Sequence, residues 1–165
     1  MHDPADVFRK AFENIRPGGV FEVQDLSLQT ADDDSMDGTA LSELQTSLGE
    51  ALRLRGNHVD VVTRYKEMML SAGFEHVTET RYRWPSNPDW ADEAVNSAGG
   101  ETYGSREKEL GELFLQQVEE ADLLEHTTAR LFAETLRWDQ ARTEELLDRA
   151  KAEMRDPRIR AYTPV

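Results

Sequence analysis

Apolar residues recur every three or four positions over most of this chain and alternate with polar ones only in two short stretches. Phe8, Ala11, Phe12 and Ile15 form one helical stripe. Pro17-Gly18-Gly19 ends it, because proline cannot continue a helix and glycine can take the positive φ that closes one. Val20, Phe21 and Val23 follow, with Glu22 and Gln24 between them, and predict a short strand. Thr39 is placed to cap a second helix, with Glu43 near its positive end and Leu41, Leu44, Leu48 and Leu52 along one side. Gly56-Asn57 is its predicted stop. Val59, Val61 and Val62, then Tyr65, Met68, Met69 and Leu70, lead through a further helix to Gly73, where Phe74 can pack back. His76 to Trp84 alternates again and is rich in β-branched and aromatic residues, which predicts a second strand. From about Glu107 onward the period is helical. Leu110, Leu113, Phe114 and Val118 make one stripe, and Leu123, Leu124, Ala129, Leu131, Phe132 and Leu136 the next. Trp138 precedes Asp139 as a hydrophobic residue before an N-cap, Leu147, Ala150 and Met154 line the last helix, and Asp156-Pro157 ends it.

Two stretches have no period. Ser27 to Gly38 carries Asp32, Asp33, Asp34 and Asp37 and predicts a solvated loop. A calcium loop is the weaker reading, since the spacing does not fit and the closing glutamate is missing. Pro85 to Gly104 is rich in Pro, Asn, Asp, Ser and Gly, with Trp90 and Tyr103 embedded. The 165 residues suit one domain, and 38% apolar against 32% charged residues leaves a thin core and much amphipathic helix. A net charge of −14 repels nucleic acid and anionic membranes and argues against both as partners. No apolar run approaches the length of a membrane span, and Met1 starts no signal peptide. With no cysteine there are no disulfides, thiolate metal sites or cysteine nucleophiles, which fits a cytoplasmic protein. No Ser-His-Asp elbow and no H-E-x-x-H is visible, and His2, His58, His76 and His126 are scattered.

The run FRKAFENIRPGGVFEVQD (Phe8 to Asp25) resembles a segment of class I S-adenosylmethionine-dependent methyltransferases. More narrowly, it looks like the fungal branch linked to secondary metabolism and related to the regulator LaeA. The order of later features matches too: the acidic loop, Ala72-Gly73-Phe74, a strand ending in Trp84-Pro85, Leu136 to Trp138, and the terminal RIRAYTPV. The resemblance implies a truncated Rossmann-like α/β fold, mostly helical, with a sheet of two or three strands completed by dimerisation. Residues 1–84 would be the remnant of the sheet half and 85–165 a helical lid. Val20 to Val23 would be the fifth strand of that fold and His76 to Trp84 the sixth. Their usual neighbour, the seventh, is expected to be missing, so the two would pair directly or each take another chain. Relatives often carry histidine before Ala-Tyr; Arg160 stands there in this chain.

The family holds its cofactor on a glycine-rich loop after the first strand and an acid after the second. Gly18-Gly19 and Gly99-Gly100 lack that G-x-G spacing, so no cofactor is expected to bind, S-adenosylmethionine included. The resemblance therefore suggests a C-terminal half that keeps the substrate side. Phe21, Tyr82, Trp84, Trp90, Tyr103 and Phe132 would line a site for a small apolar metabolite, with Glu22, Gln24 and His76 as polar or proton-transfer groups. No metal ligand set is expected. The same aromatics also suit the core of a small protein, and Glu22 also suits an ion pair with Arg81 or Arg83. Three functions follow: a cofactor-independent cyclase or isomerase of natural-product biosynthesis, a non-catalytic module completing another methyltransferase-like chain, or a fragment of an active methyltransferase.

Overall fold

A computed structural model describes residues 3–57, 59–86, 109, 113, 116 and 122–165. Helix α1 (Pro4–Asn14) starts where the Asp3 side chain accepts from Ala5 N–H, with proline in the first turn, where no N–H is needed. It stops at Ile15, whose backbone is already extended ahead of Pro17. Helix α2 (Ala40–Leu54) begins at Thr39, whose hydroxyl accepts from Ser42 N–H at 3.0 Å, and ends through Arg55 and a left-handed Gly56. A 3-10 turn (Val59–Arg64) runs into α3 (Tyr65–Ala72), closed by Gly73 at φ +109°. Any Cβ on Gly73 would lie 2.7 Å from the Phe12 ring, so this glycine also allows α1 to pack on α3. Helices α4 (Asp122–Thr135) and α5 (Gln140–Met154) complete the set, α5 capped by Asp139 accepting from Arg142 N–H. These starts and stops lie close to those predicted.

The main core joins α2, α4 and α5. Ala40, Leu41, Leu44 and Ala51 meet Leu131, Phe132, Leu146, Leu147, Ala150 and Met154, and Ile159 and Ala161 close one side. Small residues on α2 let the helices approach, and the leucines fill the space between them. The Glu153 carboxylate crosses from α5 to accept from Leu41 N–H at 2.8 Å, supplying an acceptor to an otherwise open helix end. A second, smaller cluster joins α1 and α3 through aromatic rings. Phe8 meets Tyr65 edge-on at 5.1 Å and Phe21 at 6.2 Å, Phe12 meets Phe74 edge-on at 5.3 Å, and Phe74 stacks on Phe21 at 5.7 Å.

The sheet corrects the sequence reading in two places. Strand β1 (Arg83–Pro85) pairs antiparallel with β2 (Tyr162–Pro164), with Trp84 opposite Thr163. On the far side of β2, Thr30 and Tyr162 exchange backbone hydrogen bonds, and Ser27 N–H donates to the Pro164 carbonyl at 2.9 Å. The end of the chain thus lies between β1 and residues 27–30, where a missing neighbour was expected. Direct pairing of the two predicted strands does not occur, and β1 needs no second chain for its partner. Val20, Phe21 and Val23 are not in a strand; the segment is extended coil. Its alternation reflects Phe21 turning inward to Phe8 and Phe74, but a strand also requires ladder hydrogen bonds. Of His76 to Trp84 only the end joins the sheet: Tyr82 exchanges backbone hydrogen bonds with Val165, and Arg83 and Trp84 lie in β1.

The acidic loop is held by its own carboxylates. Asp32 pairs with Arg83 and accepts from the Tyr162 hydroxyl at 2.7 Å. Asp33 caps the 3-10 turn Asp34–Met36 and meets Arg160 at 2.7 Å. Hydrogen bonds from Ser35 and the nearby Arg160 guanidinium hold the Asp33 carboxyl below the ordinary carboxylate value. Among the described residues no cluster of three metal-ligating side chains forms, and no helix is long and apolar enough to cross a membrane.

Candidate functional site

The aromatic face of the molecule carries a groove of about 420 Å³. Pro4, Val7 and Phe8 of α1 form one wall, Val59, Val61, Val62 and Tyr65 the other, and Val23 and Leu26 the third side, with Leu52 and Asn57 at the end. The 3-10 turn brings Val59 and Val62, three residues apart, onto one side of the turn, with Val61 beside them. Phe8 is 2% exposed and forms the floor, whereas Val7, Val23 and Leu26 are 41%, 39% and 48% exposed and form the rim. An apolar surface left open beside a formed cavity is the usual character of a small-molecule site.

Among the described residues one charged side chain, Asp25, lies on this lining. The Tyr65 hydroxyl donates to Asp25 Oδ2 at 2.7 Å, and Asp25 Oδ1 accepts from Leu26 N–H at 2.8 Å. These contacts fix the carboxylate at the groove, and among the described residues no cationic side chain pairs with it. Partial burial, then the Asp25 hydrogen bond and its negative charge, push the Tyr65 phenol up to about 12. At neutral pH the phenol is therefore a fixed donor, and the free lone pairs of Asp25 are the proton-accepting capacity of the site.

A second cleft of about 380 Å³ adjoins it, sharing Leu52 and Asn57 and adding Arg55, His126, Thr127, Arg130 and Leu131. Glu134 lies between the two arginines there, paired with Arg55 and accepting from Arg130 Nε at 2.8 Å.

The residues singled out from the sequence do not converge. Phe21 is half-buried among Phe8 and Phe74, next to the groove but not lining it. Glu22 and Gln24 are exposed and bond to each other at 2.7 Å, and Glu22 makes no pair with Arg81 or Arg83, which instead meet Glu79 and Asp32. His76 is exposed at its left-handed turn, and Tyr82 is 50% exposed at the sheet edge. Trp84 is half-buried on β1. Phe132 is fully buried in the helical core, 5.0 Å from Trp138. Trp90 and Tyr103 lie outside the described residues. Sequence reasoning missed the Asp25–Tyr65 pair and the three valines, which read as part of an ordinary helical stripe. The available signal was a tyrosine following three β-branched residues, a composition that suits a short turn better than an α-helix.

The described glycine pair Gly18-Gly19 forms no nucleotide cradle. Gly18 is left-handed at the end of α1, and a Cβ on Gly19 would meet Ile15 at 2.7 Å, so the pair faces its own helix. Gly99-Gly100 lies outside the described residues.

Among curated proteins the chain is 30% identical to the "Probable methyltransferase tdiE" of Emericella nidulans, over 99% of its own length and 48% of that protein. It is 27% identical to the "Methyltransferase cpsF" of Aspergillus campestris, over 98% of its length and 53% of that protein. The chain thus spans about half the length of the curated relatives it matches, and over that span it is methyltransferase-like. No family model and no solved structure matches it.

Proposed function

We propose that this chain is the substrate-holding part of a methyltransferase-related protein, and that its substrate is a small, largely apolar molecule of secondary metabolism. The observation that carries this is the groove between α1, the segment after it and the 3-10 turn, with an apolar floor and a hydrogen-bonded carboxylate. The fungal methyltransferase relatives support a methyltransferase-related role. A neutral aromatic probe tests it. Calorimetry with 1-naphthalenemethanol is expected to show saturable binding, weakened by Val7→Asp, which puts a charge on the exposed rim without touching the core. A chain that binds no probe, or binds it equally well after Val7→Asp, sinks the proposal.

A second reading is favoured by the Asp25–Tyr65 pair together with a Gly18-Gly19 pair that does not cradle a nucleotide. In it the chain guides a cyclisation or isomerisation without a cofactor. The walls hold one conformation and Asp25 accepts a proton, so shape and position lower the barrier. Asp25→Asn would then abolish turnover while leaving the fold intact. Measured binding of S-adenosylmethionine to the chain would turn the choice toward methyl transfer.

A further inference from the structure

Asp25, the one charged residue lining the groove among those described, narrows the class of molecule that fits it. Resting on the function proposed above, we infer that the preferred ligand carries a protonated amine at one end of an apolar body, and that Asp25 is its counter-ion. Among the described residues the walls are hydrocarbon on three sides: Val7 and Phe8, Val23 and Leu26, and Val59, Val61 and Val62. Such walls reward an apolar body but give no direction to a charged head. Asp25 supplies the direction. Tyr65 and Leu26 N–H take one lone-pair site on each of its oxygens, holding the carboxylate plane while leaving acceptor capacity free. Among the described residues the lining brings no lysine or arginine to compete for it. A neutral hydroxyl at that point gains one ordinary hydrogen bond, whereas an ammonium gains a charge-assisted one. An anionic head is repelled twice, by Asp25 and by a chain of net charge −14.

The long-range field alone favours cations anywhere on this surface, so the test must separate it from Asp25. Two probes of the same shape do so: 1-naphthylmethylamine, charged at neutral pH, and 1-naphthalenemethanol, which is not. Calorimetry at one ionic strength is expected to give the amine an advantage of about five-fold, the scale of a partly solvated ion pair. In Asp25→Asn that ratio falls well below its value in the unmodified chain, to what the general field alone sustains. The amide oxygen still accepts from Tyr65, so the fold is kept, and the net charge changes by only one unit, so the general field is kept as well. Equal affinities in the unmodified chain overturn the inference and leave the groove standing. A ratio that survives Asp25→Asn undiminished also overturns it, assigning the preference to the field. If neither probe binds, the substrate-holding function itself falls and the inference with it.

Discussion

The two hydrophobic clusters of this chain are built differently. The α2–α4–α5 core is aliphatic, closed and interlocked: Ala40, Leu41, Ala51, Phe132 and Leu147 are at most 2% exposed. The α1–α3 cluster is aromatic and open. Only Phe8 among its rings is buried, Phe12 is 42% exposed, and Val20 just beyond is 90% exposed. Edge-to-face rings hold that cluster together through geometry without filling every gap. The contrast separates two tasks. The first cluster is closed as a stabilising core is, and the second, on the function proposed here, leaves apolar surface open for a ligand.

Substitutions that respect or violate this division should differ in size. Phe132→Ala removes a fully buried ring from the closed cluster and is expected to cost about 3–5 kcal/mol in urea unfolding. A loss under about 1 kcal/mol would mean that the core is less closed than it looks. Glu153→Gln weakens the acceptor that α5 gives to α2 and should cost about 1 kcal/mol, again in urea. Val23→Ser lies on the open rim and should shift stability by less than about 0.5 kcal/mol while weakening the aromatic probe. If it melts the protein, the two clusters are one.

Titrations probe the same division more gently. The Tyr65 phenol, pushed up to about 12 from 10.0, should titrate late in an alkaline absorbance titration, in a step that Tyr65→Phe removes. The unfolded chain loses that proton first, near the ordinary value. The stability the phenol contributes is therefore complete below about 10 and is lost as pH rises toward about 12. Asp25→Asn should bring the transition down, and a Tyr65 that titrates normally would mean that the Asp25 contact does not form. The smallest effect is at the exit of α5. Hydrogen bonds from the Arg158 guanidinium and N–H hold the Asp156 carboxyl down to about 2 from 3.8. Its contribution is present above the ordinary value and disappears as pH falls toward about 2. Asp156→Asn should flatten that part of the acid slope, and an unchanged slope would assign it to other carboxylates.

The helices were legible because their signals are local. Thr39 and Asp139 each accept from an N–H three residues on, Gly73 closes α3 with its own φ, and Pro17 follows the end of α1 closely. Such contacts span a few residues and leave their mark in a short window. The sheet was not legible in the same way. Arg83–Pro85 meets Tyr162–Pro164 across nearly eighty positions of sequence, and a three-residue strand has too short an alternation to announce itself. Val20 to Val23 alternate well and still form no strand, because alternation records which side chains turn inward and not whether a backbone partner exists. The groove belongs to the same class. Its carboxylate and phenol stand forty residues apart, and its valines gain meaning only once a 3-10 turn sets them opposite α1. The sequence by itself determined the helices, their ends, the acidity and the methyltransferase likeness. Tertiary structure alone decided which strands pair, which aromatics are core and where the open apolar surface lies, because each depends on contacts between segments remote in the chain.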